Sequence, residues 1–196
     1  MKEINLAVFA SGAGSNAQAI INYFQGHALI KTSLIITTNP QAGVVIVGEK
    51  YHIPVKVFGR QEWSDENTVT HYLDNFKIDY LILAGFLKLI PDFLITKYCN
   101  KILNIHPSLL PMFGGVGMYG DFVHQAVFDS LETETGVTIH IVDNQYDNGD
   151  IVFQKKCKVS VGKDTVEDIK RNVRSMELHY YPRVIESFVM DQLHFK

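Results

Sequence analysis

The chain has 196 residues, 46% of them hydrophobic and 20% charged, with a formal net charge of −3. This suffices for one domain with a sizeable core, and without a cluster of lysines and arginines it argues against a nucleic-acid surface. No apolar run approaches the roughly 20 residues needed to span a bilayer. The start "MKEINLAVFA" does not read as a signal peptide, and Cys99 and Cys157 match neither a disulfide framework nor a metal spacing, so a soluble cytoplasmic protein is expected.

In chain order, "INLAVFA" (4–10) predicts a first strand, "SGAGSN" (11–16) a glycine turn and residues 17–24 a helix. A strand over 33–38, a helix to about Tyr51, a short strand over 54–58 and a polar amphipathic helix over 65–76 come next. The wholly apolar "DYLILAG" (79–85) predicts a central parallel strand buried on both faces. A short helix after Pro91 and a strand over 101–106 complete the alternation. Beyond a glycine-rich loop (113–120) come a helix over 121–131, two strands over 135–142 and 150–159 that read as an antiparallel pair, and a long helix over 164–190. Asp164 and Glu167 suggest a capping box at its start. The fold class is α/β: a Rossmann-like open, mostly parallel twisted sheet with helices on both faces and a small antiparallel C-terminal extension. With no linker or repeat, residues 1–196 read as a single domain, with a phosphate- or nucleotide-binding half (1–103) and a catalytic half (104–196).

Two stretches carry chemistry. Gly12, Gly14, Ser15 and Asn16 lie between strand and helix, where backbone N–H groups and the positive end of the helix dipole favour an anion. A plain βα turn is the alternative. The stretch is not a P-loop, and the acidic residue expected about 20 residues on in a dinucleotide site is missing, which disfavours nicotinamide chemistry. Asn104 and His106 in "LNIHPSLLP" (103–111) stand two apart on a strand and so share a face. An amide N–H and an imidazole can stabilise an oxyanion and move a proton; a strand-end Asn and a loop His are the alternative. Pro107 and Pro111 stiffen the loop after the strand. "DNQYDNGD" (143–150) offers Asp143, Asp147 and Asp150 as orienting carboxylates, or as ordinary turn formers. His140 alternates with Val137, Ile139 and Ile141 and takes either face. The histidines show no ligand spacing for a metal, and no nucleophile elbow is present.

"GAGSN", "LAGFLKLI" (83–90), "LNIHPSLLP", "TGVTIHIVDNQYDNGDIVFQ" (135–154) and "MELHYYP" (176–182) occur in this order and together resemble the phosphoribosylglycinamide formyltransferase family of folate-dependent enzymes, over essentially the whole chain. The resemblance implies formyl transfer from 10-formyltetrahydrofolate, as cosubstrate, to the amine of glycinamide ribonucleotide, without a metal. It implies Asn104, His106 and Asp147 as catalytic residues, the last keeping His106 protonated. Gly14, Ser15 and Asn16 match the positions for the substrate phosphate, and Pro107 and Glu177 further substrate contacts. Leu83, Leu87, Lys88, Leu89 and Ile90 match the folate pocket wall, and His140 and Asp143 its pterin side, which makes 104–196 the catalytic and folate-binding half. The expected partners are small molecules only, neither nucleic acid nor membrane, for a monomer or homodimer. Two stretches depart from the family pattern: the loop over 112–127 is longer and richer in glycine, and 60–69 is acidic, leaving Arg60 or Lys88 for the glutamate tail. Methionyl-tRNA formyltransferases and formyltetrahydrofolate deformylases share the core, but would be expected to carry a further domain. An amino-sugar formyltransferase and a non-catalytic nucleotide-binding module remain alternatives.

Overall fold

In a computed structural model, which describes residues 3–194, fourteen elements follow one another, all but one of them expected from the sequence. They are β1 (Ile4–Phe9), α1 (Ser15–Phe24), β2 (Ile30–Thr37), α2 (Val44–Tyr51), β3 (Val55–Val57), α3 (Arg60–Ser64), α4 (Glu66–Asn75), β4 (Tyr80–Leu83), α5 (Asp92–Lys97), β5 (Ile102–His106), α6 (Asp121–Asp129), β6 (Glu134–Ile141), β7 (Ile151–Lys158) and α7 (Val166–His194). The strands hydrogen-bond in the order β3-β2-β1-β4-β5-β6-β7. Two compact units divide the chain, Met1–Leu103 and Asn104–Lys196.

In the first unit, β1 pairs in parallel with β2 and β4, and β2 with β3. Helical crossovers cover both faces of such strands, so their side chains must be apolar on both sides. Accordingly Leu6, Val8, Phe9, Leu34, Ile35, Ile36, Leu81 and Ile82 are all fully buried. The helix α1 buries Ala17, Ile20, Ile21 and Phe24, the spacing of one helical face. Asp65 stands outside α4 as its N-cap, its carboxylate accepting from the Thr68 N–H at 2.8 Å. The short α3 before it is not foreseen from the sequence; the Glu62 carboxylate organises it, accepting from Gly59 N–H and from Lys56, both at 2.8 Å.

In the second unit, β6 and β7 pair antiparallel from Glu134↔Lys158 to His140↔Ile151, with an irregularity between Ile139 and His140. The long helix α7 lays Ile169, Val173, Tyr181, Ile185 and Val189 into the core. Its capping box lies one residue later than expected. Thr165 Oγ1 accepts from Asp168 N–H at 3.2 Å, and the Asp168 carboxylate accepts from Thr165 N–H at 3.0 Å. Asp164 instead accepts from Ser160 N–H, because a capping box needs a spacing of three and the helix begins at Val166.

Gly136 is the tightest point of the β6–β7 pair: a Cβ there would lie 2.0 Å from the Lys155 carbonyl oxygen and 2.8 Å from a Leu109 methyl. Since the obstacle is backbone, it cannot rotate away. Gly136→Ala is expected to destabilise the fold by about 1–3 kcal/mol, the usual cost of overpacking, measured as a lowered denaturation midpoint against wild type.

Candidate active site

The first unit presents a loop suited to an anion. Gly14 is the N-cap of α1 and adopts left-handed φ of 80°, and no side chain caps the helix. A Cβ at Gly14 would also come within 2.9 Å of Val44 Cα. The first turn of α1, which includes Ser15 and Asn16, carries no acidic residue, so the helix does not neutralise the positive end of its own dipole. Ser11, one residue past Ala10, joins this loop to the 84–90 segment: its N–H donates to Gly85 O at 3.0 Å, and its Oγ accepts from Leu87 N–H at 3.0 Å. Leu83, at the end of β4, and Ile90 are buried while Leu87, Lys88 and Leu89 are exposed.

The second unit gathers four polar side chains. Asn104 and His106 project from β5, His140 from β6, and Asp147 from the loop between β6 and β7. Asp147 Oδ1 lies 3.4 Å from His106 Nδ1, 3.4 Å from Asn104 Nδ2 and 3.7 Å from His140 Nε2. Its Oδ2 accepts from Gly115 N–H at 2.9 Å. Asp147 sits at φ 54°, a conformation that Asp tolerates better than most residues. The loop around it is shaped by Asp143, whose carboxylate accepts from Gln145 N–H and from Asn148 Nδ2, both at 2.8 Å.

The carbonyl partners define where the protons are, because a carbonyl only accepts. His140 Nδ1 faces Ile141 O at 2.9 Å, so it carries hydrogen; in the neutral ring Nε2 is then a lone pair, which accepts from Asn104 Nδ2 at 3.0 Å. His106 Nε2 faces Phe113 O at 2.7 Å and therefore also carries hydrogen. The remaining nitrogen of neutral His106, Nδ1, presents a lone pair to the Asp147 carboxylate. This pair of atoms is one proton short of a hydrogen bond.

Burial pushes the His106 pKa down; the Asp147 charge and the Phe113 carbonyl pull it up and His140 pushes it further down, leaving it below its ordinary value. Asp147 therefore raises the His106 pKa, in the sense the resemblance implies, and burial at 4% exposure outweighs it. Burial pushes the Asp147 carboxyl up, but the flanking imidazoles of His140 and His106 and the Gly115 N–H outweigh it, and it titrates below the usual carboxylate range.

Asn104, His106 and Asp147 thus come together as expected. His140, expected at a folate surface, instead is 2% exposed and part of this cluster. The reason is that β6 is buried on both faces, and His140 shares with Thr138, two residues before it, the side that meets residues 104–110. Asp143, expected at the same surface, spends both carboxylate oxygens on its own loop. Pro107 and Glu177 are half-buried, the latter on α7 beside Tyr181. The Leu87 N–H donates to Ser11 Oγ. Ser11, the Phe113 carbonyl and the Gly115 N–H are not foreseen; the last two are backbone groups, which leave no signature in a residue string. Among the described residues no group of three His, Cys, Asp or Glu is placed to hold a metal, and no helix is long and apolar enough to cross a membrane.

The chain is similar to known proteins along most of its length. A family model described as formyl transferase matches residues 4–185. A chloroplastic phosphoribosylglycinamide formyltransferase of Arabidopsis thaliana is 37% identical over 96% of the chain, which spans 66% of that relative's length. The phosphoribosylglycinamide formyltransferase of Bacillus subtilis (strain 168) is 35% identical, with 93% of each chain covered. The crystal structure of the Anaplasma phagocytophilum enzyme of that name superposes with a TM-score of 0.87 at 29% identity, covering 97% of this chain and 88% of that one.

The buried imidazoles set an acid limit on stability. His106 and His124 both have folded pKa values below the ordinary 6.5, burial being the largest cause in each. The unfolded chain therefore binds protons first on acidification, so their contribution is intact above about pH 6.5 and is lost as pH falls through the folded values. Unfolding free energy from urea titration is expected to fall between about pH 7 and pH 5, and to fall less steeply in His124→Gln. A slope unchanged by that substitution would show that His124 does not contribute.

Proposed function

The chain belongs to the formyl transferase family, and we propose that it transfers the formyl group of 10-formyltetrahydrofolate to the amine of glycinamide ribonucleotide, a step of purine biosynthesis. The observation that carries this reading is the convergence of Asn104, His106 and Asp147, with a lone pair and a carboxylate oxygen facing each other at 3.4 Å. We take residues 1–196 as one formyltransferase domain, acting in the cytoplasm as a monomer or homodimer. The free thiols of Cys99 and Cys157 suit a reducing compartment.

The folate cosubstrate supplies an activated formyl carbon. Attack by the substrate amine forms the new C–N bond and moves the carbonyl pair onto oxygen; collapse breaks the bond to N10. The amine must lose a proton and N10 must gain one. His106 Nδ1, braced by Asp147, accepts it. Its pKa is low at rest, so the base form is available near neutral pH, and the developing negative charge then raises it. The charge of the resulting imidazolium and the Asn104 amide stabilise the oxyanion, and His106 returns its proton to N10. His140 holds Asn104 Nδ2, so we assign it to positioning that amide. Gly14, Ser15 and Asn16 hold the substrate phosphate, with the uncapped start of α1 in support. Pro107 and Glu177 line the ribonucleotide. The exposed Leu87, Lys88 and Leu89 face the folate, with Leu83 and Ile90 supporting them from the core.

The test is a spectroscopic assay of tetrahydrofolate release. Release that requires glycinamide ribonucleotide is the expected result. Release without acceptor would indicate a deformylase, release only with an amino-sugar nucleotide a different acceptor, and ribonucleotide binding without turnover a binding module. In the transferring enzyme, loss of one oxyanion donor costs about 10²–10³ in rate, so His106→Ala is expected to lose at least that in kcat while remaining folded by circular dichroism. Gly14→Ala, which strains φ and collides with Val44, is expected to raise KM for the ribonucleotide and leave KM for folate unchanged.

A further inference from the structure

Which nitrogen of His106 acts as the base depends on where the Phe113 carbonyl sits. With that acceptor on Nε2, the neutral ring keeps Nδ1 free. Without it, the better neutral tautomer places hydrogen on Nδ1, where the Asp147 carboxylate accepts it, and leaves no base at that edge. The support of the 112–113 segment is therefore part of the site.

A buried set of hydrogen bonds provides it. Ser108, fully buried, donates from Oγ to Met112 O at 2.6 Å, one residue before Phe113. Met112 N–H donates to Leu109 O. Thr138, also fully buried, uses the whole capacity of its hydroxyl on the same segment: it donates to Ser108 O at 2.7 Å, and accepts from Leu110 N–H at 3.1 Å and from Gln154 Nε2 at 2.9 Å. Gln154 Nε2 also donates to Leu110 O at 3.0 Å. Residues 108–112 are thus fastened from β6 and β7 by side chains that touch none of Asn104, His106 or Asp147 in these bonds.

We propose that Thr138 and Ser108 are positioning residues that fix the tautomer of His106 through the Phe113 carbonyl. The inference rests on the assignment of His106 as proton acceptor, but its primary readout does not need turnover. A hydroxyl lost in such a place leaves buried backbone groups unpaired, and they shift to find partners.

The experiment is long-range proton–nitrogen NMR of the histidine rings in the 15N-labelled full chain, with His106 assigned through His106→Gln, alongside pH profiles of kcat. Wild type is expected to carry hydrogen on Nε2 of neutral His106. Thr138→Val, which keeps the shape and removes the hydroxyl, is expected to show hydrogen on Nδ1 in a substantial fraction, with kcat lower by about 10–100-fold at unchanged KM. Thr138→Ser is expected to restore both. A folded Thr138→Val with Nε2–H and a wild-type pH profile would overturn the proposal. If Thr138→Val does not fold, Ser108→Ala decides by the same two readouts. Should formyl transfer not be found, the ring spectra still answer the positioning question on their own.

Discussion

Everything in the second unit turns on one carboxylate taken partly out of water. Burial alone would neutralise Asp147, and it stays charged because its neighbours are donors or protonatable rings. Its Oδ2 has a short bond from Gly115 N–H, whereas the contacts of Oδ1 to Asn104, His106 and His140 run from 3.4 to 3.7 Å. One oxygen is fastened and the other is under-served. Long catalytic contacts of this kind are common before substrate binds, and tighten when charge develops. The under-served oxygen is the one that shares an edge with the His106 lone pair, which is where a proton gains most.

The loop that supplies these constraints is made of backbone groups. Phe113 offers a carbonyl to His106, and Gly115 an N–H to Asp147. Phe113 holds a left-handed φ of 56° to do so, unfavourable for a side chain of its size. Such a conformation persists only if its surroundings over-determine it, and the Ser108 and Thr138 bonds next to it are an over-determination of that sort. The bland-looking end of the "HPSLLP" motif thus has a use: its serine is buried and spent on backbone, which explains why no glycine frame or general base accompanies it as a nucleophile would require.

The strands and long helices were legible because burial on both faces leaves wholly apolar runs, as in "DYLILAG", and because helical spacing in α1 is regular. The pairing of Asn104 with His106 came from the strand period alone, and the phosphate loop from its glycines. Four things are not legible, for physical reasons. The five-residue α3 is too short to show a period. The cap of α7 moved by one residue because Asp164–Glu167 and Thr165–Asp168 both satisfy the spacing, and only the backbone decides between them. His140 is ambiguous in the sequence because alternation of polar and apolar residues fails as a guide on a strand buried from both sides. The net pKa direction of His106 is not readable from the sequence, which shows the carboxylate that raises it but not the burial that lowers it.

The two units divide the chemistry by type of group. At Gly14, Ser15 and Asn16 the anion-binding capacity comes mainly from backbone N–H groups and a helix dipole, none of which titrates near neutral pH. At Asn104, His106, His140 and Asp147 nearly every member is a ring or a carboxylate whose protonation depends on the others. Anchoring and proton transfer are therefore separable functions of pH: acidification that protonates His106 removes the base without touching the amides that hold a phosphate. On the proposed reading, binding of the ribonucleotide and turnover respond differently to acidification. They can do so because the group that must change charge in the reaction is not the group that recognises the substrate.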